Sequence, residues 1–260
     1  MLTVDISAIT GINAIIACTA MAASYVGSLY LCPSKNPRDH PTTVTQRSIA
    51  TSAVSLLAPA ALYLAYRSET GTSLLSHLGL GLSLFDQLSA ALRSLCLFGL
   101  LFAGPIVQET YDNTWQQRIP PSSLLFWRNF VVAPITEEWI FRCCSLPLLA
   151  AAFDTTTAVW TAPLFFGLAH LHHYFGGTPL LNVLVQFTYT TVFGWMSACV
   201  YARTGSAVAP MLAHAFCNYM GLPSFAAAFA STYKGRWLVA PVYVFGLLGF
   251  GYCLATEAIL

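Results

Sequence analysis

The sequence predicts an all-α, polytopic membrane helix bundle of about eight transmembrane helices around an intramembrane polar cavity. Three observations predict it. Hydrophobic residues make up 57% of the 260 positions and charged residues only 8%, where soluble domains carry roughly a quarter charged residues. Mean hydropathy is +0.66. The charges that do fall inside apolar segments cluster in the second half of the chain, at helical spacing. A spanning helix needs about 20 apolar residues, so the length holds roughly seven or eight spans and leaves no room for a soluble domain. Residues 1–260 therefore read as a single membrane domain.

The predicted spans are 8–31, 47–66, 88–108, 129–152, 155–174, 179–202, 205–221 and 237–257, drawn where apolar residues run without turn signals. Asp5 is the only early charge, and the first run is too long for a signal-peptide core, so it reads as a retained span. Pro33, Pro37 and Pro41 mark a loop from Cys32 to Arg47. Arg93 interrupts the third segment, and Glu109–Ser123 forms a second loop whose Pro120-Pro121 pair precedes a new helix. Gly176-Gly177, Gly205, and Gly221 followed by Pro223 end the later helices. Alternating crossings place Lys35, Arg38, Arg47, Arg118, Arg128, Lys234 and Arg236 on one side and Arg67 and Arg203 on the other. By the positive-inside rule the richer side is cytosolic, with both termini lumenal.

The eight cysteines form no CxxC pair and read mostly as small buried hydrophobes, neither a disulfide framework nor a zinc ribbon. A net charge of +1 gives no reason to expect a nucleic-acid partner.

Ionisable side chains inside spans are costly and mark function or a polar cavity. Glu137, Glu138 and Arg142 lie on the fourth span, His170, His172 and His173 near the end of the fifth, and His214 and Asn218 on the seventh. The alternating topology brings Glu137, His170, His214 and Asn218 to similar depth in the cytosolic half. Glu138 and Arg142 are four residues apart with the acid first, the favoured order for an ion pair. Glu137 is rotated about 100° from Glu138 and is free to face a cavity. The alternative is that all three form one structural cluster. His170 and His173 share a face, with His173 a secondary candidate, while His172 points elsewhere and reads as interfacial. His214 and Asn218 project together, and an interhelical hydrogen bond is their structural alternative. A carboxylate beside an imidazole can take a proton from water, and an imidazole with a carboxamide can donate to a developing oxyanion. Hydrolysis of a carbonyl compound needs nothing more. Cys143, Cys144 and Ser145 are available nucleophiles, but no nucleophile elbow supports them.

The stretches APITEEWIFRCC (133–144), PLFFGLAHLHH (163–173), QFTYTTVFGWMSACVYARTG (186–205) and HAFCNYMGLP (214–223) resemble the CaaX prenyl endopeptidase family, in its eukaryotic Ras-converting branch. The family pattern E-E-x-x-x-R, F-x-x-x-H and H-x-x-x-N/D is carried by Glu137/Glu138/Arg142, Phe166/His170 and His214/Asn218. The resemblance is clear over about residues 125–223, and residues 1–120 match only in being hydrophobic. It implies an eight-helix endoplasmic-reticulum protease, reached from the cytosol, that removes the last three residues of prenylated CaaX proteins such as Ras-type small GTPases. By the same resemblance, Glu137 and His170 activate water, His214 and Asn218 form the oxyanion site, and Glu138 with Arg142 supports them. No cofactor or metal is implied. The implied partners are the prenylated substrate and membrane lipids. Two rivals stay open. One is a zinc endopeptidase with Glu137, His170 and His214 as ligands, although no H-E-x-x-H helix is present. The other is a transporter or membrane scaffold with a polar core, although no related halves are evident.

Overall fold

The computed structural model describes residues 9–31, 34, 36–65 and 73–256. Asp5, Cys32, Pro33, Lys35 and Arg67 lie outside the described residues. Among those described, the chain is helical with no strand. Helix α1 is Gly11–Leu31, α2 Pro41–Leu57, α3 Pro59–Ala65, α4 Leu74–His77, α5 Leu84–Leu101 and α6 Ala103–Asp112. A continuous helical run, α7, spans 124–152. It is followed by α8 Thr155–Ala169, α9 Leu180–Thr204, α10 Val208–Met220, α11 Phe225–Phe229 and α12 Arg236–Thr256.

The molecule is a helical membrane bundle. Its polar side chains are inside and its large apolar ones outside, the reverse of a water-soluble fold. Glu138 and Arg142 are fully buried, while Leu31, Leu56, Phe85 and Trp237 are about 80% exposed (80, 82, 79 and 79%). Four helices, α1, α5, α9 and α12, are each long and apolar enough to cross a membrane. Of the remaining expected spans, 129–152 lies within the continuous run α7, and others are interrupted or short. Pro59 separates α2 from α3, and Phe102 separates α5 from α6. Helix α10 has only 13 residues, about 20 Å at 1.5 Å per residue, which is less than the hydrocarbon thickness.

Local chemistry sets the boundaries. Arg47 was expected at the end of a loop, but α2 already begins at Pro41, whose missing N–H costs nothing at a first helical position. His40 Nδ1 caps that helix by accepting from the Thr42 N–H. Ser83, Ser123 and Asp154 cap α5, α7 and α8 in the same way. Glycines close the later helices where the sequence places them: Gly205 and Gly221 have φ of 62° and 72°, accessible to glycine without strain.

Two layers of packing surround the site. Helices α1, α7 and α8 share one apolar core, α5, α10 and α12 share the other, and α9 contributes to both. Small residues let the helices approach closely, as membrane packing requires in the absence of a hydrophobic drive between helices. At Gly194 of α9 a Cβ would stand 2.9 Å from Pro163 Cβ on α8 and 3.3 Å from Arg142 Nη2. Gly194→Ala is therefore predicted to destabilise the bundle by about 1–3 kcal/mol through overpacking against a rigid ring, seen as a lower unfolding temperature in detergent. Wild-type stability of this variant would mean that α8 and α9 separate freely.

Candidate active site

Helix α7 carries two glutamates between two widened turns. At Arg128–Val132 and Trp139–Cys144 the backbone bonds reach five residues rather than four, as in Ala133 N–H to the Arg128 carbonyl and Ser145 N–H to the Ile140 carbonyl. Each widened turn is followed closely by a proline, Pro134 and Pro147. Proline lacks the N–H that would bond four residues back, and its ring clashes with that carbonyl, which opens the turn. Such turns recur at functional sites because they displace side chains from regular helical positions.

Glu138 is the better-satisfied of the two carboxylates. Its Oε2 meets Arg142 Nε at 3.1 Å, the ion pair expected from their spacing, and accepts from Ser197 Oγ at 2.5 Å. Its Oε1 lies 2.7 Å from His214 Nδ1. A carboxylate engaged by arginine only accepts, so Nδ1 of His214 carries a proton. The two terminal nitrogens of Arg142 have no hydrogen-bond partner. The guanidinium lies over Phe166 at 4.4 Å and near Phe193 at 5.6 Å, where the ring faces attract the cation.

Glu137 keeps 17% of its side chain accessible, against 0% for Glu138, and lines a cavity of about 790 Å³. Its Oε2 is 3.8 Å from His214 Nε2, too far for a hydrogen bond and suited to a small bridging oxygen. The Tyr25 hydroxyl of α1 reaches Glu137 and hydrogen-bonds Thr136 Oγ1 at 2.9 Å. His170 ends α8, and its Nδ1 lies 2.8 Å from the Phe166 carbonyl. That carbonyl only accepts, so Nδ1 carries the proton and Nε2 keeps its lone pair. Asn218 donates one amide hydrogen to the Asn129 carbonyl at 2.9 Å, leaving a second.

The cavity wall thus brings together Glu137, His170, His173, His214 and Asn218, while Glu138 and Arg142 lie behind it. One expectation needs correction: His172 does not point elsewhere. Residues His170–Tyr174 form a 3₁₀ turn, so His170 and His173 eclipse, with ring centroids 6.2 Å apart. His172 lines the same cavity with its ring 4.2 Å from His173. Tyr25, Ser197 and Phe193 were not anticipated. Nothing in their local sequence separates them from ordinary helix residues, because their partners lie on other helices. Among the described residues, no three His, Cys, Asp or Glu side chains converge as a metal-binding group.

Bundle and cavity define a polytopic membrane protein with a carboxylate–imidazole site inside it. Residues 119–220 match the family model described as "Type II CAAX prenyl endopeptidase Rce1-like". The chain is 39% identical to human "CAAX prenyl protease 2", covering 82% of this chain and 72% of the relative. The rat protein of the same name is 35% identical, covering 90% and 76%. "Probable CAAX prenyl protease 2" of Schizosaccharomyces pombe is 34% identical, covering 78% of each. No solved structure gives a significant match. The chain belongs to the type II CAAX prenyl endopeptidase family.

The geometry separates the two glutamates experimentally. Glu138→Ala strands Arg142 and releases His214, and is predicted to cost about 3–5 kcal/mol of stability. Glu137→Ala removes a cavity-facing group and should unfold near the wild-type temperature. Thermal unfolding in detergent measures both, and the opposite ranking would exchange the two assignments.

Proposed function

We propose that the chain is an endopeptidase that removes the aaX tripeptide from prenylated CaaX proteins, Ras-type small GTPases among them. It works in the endoplasmic-reticulum membrane, with lipid around its apolar faces and its site open to the cytosol. The observation that carries the reading is the space between Glu137 and His214, 3.8 Å across, in a cavity whose other walls include Leu101, Phe102, Val192, Met196 and Leu247. Those apolar residues suit a prenyl chain.

In this reading a water sits against Glu137, with the free Nε2 of His170 as its second acceptor. Glu137 takes a proton as the water oxygen attacks the scissile carbonyl. The carbonyl becomes an oxyanion that accepts from His214 Nε2–H and the second amide hydrogen of Asn218. As the intermediate collapses, the carbonyl re-forms and the C–N bond breaks. The proton held by Glu137 passes to the leaving amine of the tripeptide. For this role His214 acts as the imidazolium: Glu138 accepts from Nδ1–H, and the second proton, on Nε2, faces the reaction.

Glu137→Ala is predicted to abolish cleavage of a prenylated CaaX peptide by purified protein, and normal turnover would sink the assignment. Asn218→Ala should lower turnover about 10²–10³-fold with much less change in peptide binding. Steady-state kinetics beside a binding measurement separates this from a substrate-positioning role, in which binding is lost and saturated turnover kept. Chelation should leave endpoint activity unchanged. Activity lost on chelation and restored by zinc alone would instead make His170 and His214 metal ligands.

A further inference from the structure

The cavity mouth carries more positive charge than the proposed chemistry uses. Arg38, Arg47 and Arg128 all line it. Arg128 is engaged by Asp39, Nη1 to Oδ1 at 2.7 Å. Arg38 and Arg47 form no ion pair with any described residue. Arg47 is partly buried, and its Nε is shielded from solvent without a hydrogen-bond partner. A guanidinium in that state lacks the planar anion its fork of donors matches.

The helices set the distance from this charge to the carboxylate. Thr51 of α2 adjoins Tyr25, which adjoins Glu137, so Thr51 marks the level of the candidate site. Arg47 precedes Thr51 by four residues on the same helix, about 6 Å nearer the mouth. Arg128 precedes Glu137 by nine residues on α7, roughly 13 Å along the axis. Arg38 lies within electrostatic range of both Arg47 and Glu137. The arginines therefore begin one helical turn from the proposed scissile position and end about 13 Å from it. An extended tripeptide spans about 10 Å.

We propose that Arg47, assisted by Arg38, receives the free C-terminal carboxylate of the substrate and so measures the cut at three residues from the chain end. This rests on the activity proposed above. It adds a reason for tripeptide release that the reacting groups do not supply, because Glu137, His170, His214 and Asn218 act on any amide that reaches them. The carboxylate docks at the mouth, the prenyl chain on the apolar wall, and the scissile amide is held between two fixed ends.

The test uses the purified full chain in neutral detergent, with a farnesylated CaaX peptide and its C-terminal carboxamide twin. Wild type should favour the acid in kcat/KM by about 10–100-fold, the range of a charge-assisted hydrogen bond. Arg47→Gln should bring the acid down toward the amide, and Arg38→Gln, on an exposed loop residue, should do so in part. Equal cleavage of both peptides by wild type overturns the proposal, as does an Arg47→Gln defect that is the same for both. If Arg47→Gln does not fold, the wild-type ratio and Arg38→Gln decide. A defect that appears only when phosphatidylserine is added, whatever the peptide terminus, also overturns it and assigns the arginines to lipid headgroups. Failure of wild type to cleave either peptide removes the proposed activity itself, and the carboxylate site falls with it.

Discussion

Glu138 is the interaction on which the rest of the site depends. Its two oxygens gather Arg142 from its own helix, Ser197 from α9 and His214 from α10. In a bundle whose exterior is lipid, no water stands by to replace a lost partner, so a buried charge must be satisfied by protein. That requirement fixes three helices relative to one another. It also fixes the His214 ring, because an acceptor-only partner at Nδ1 dictates which nitrogen is left for the cavity. Phe166 and Phe193 complete the arrangement by covering the guanidinium where no acceptor reaches it.

Two adjacent glutamates differ because their surroundings differ. Glu138 faces a cation and two donors, while Glu137 faces the cavity and the Tyr25 hydroxyl. One helical step of about 100° is enough to separate a buried, ion-paired carboxylate from one that faces the cavity. The widened turns on either side of the pair are the backbone counterpart of this division. They follow from proline positions, and Asn129, in the first of them, presents the carbonyl that holds Asn218.

The cavity wall is chemically mixed. Arginines, a carboxylate with imidazoles, and apolar side chains all contribute to it. The short α10 contributes His214 and Asn218 to this space and ends at Gly221, whose positive φ turns the chain toward the apolar Leu222, Pro223 and Phe225.

The amino-acid pattern by itself determined the helical membrane class, because apolar runs of about 20 residues with so few charges satisfy their backbone groups in a bilayer as helices. It determined the Glu138–Arg142 pair, which needs only four-residue spacing, and it marked Glu137, His170, His214 and Asn218, because ionisable and amide groups are conspicuous in apolar helices. Only the tertiary structure decided what lies between helices. Ser197 and Tyr25 are ordinary residues until Glu138 and Glu137 are brought against them. His172 joined the cavity because the chain tightened into a 3₁₀ turn, which regular helical spacing does not anticipate. Arg38 and Arg47 read as topology markers in sequence, and only the fold set them at the mouth of the same cavity. Spacing along one helix is local and legible. Partners on separate helices are chosen by packing, and packing is settled by the whole bundle at once.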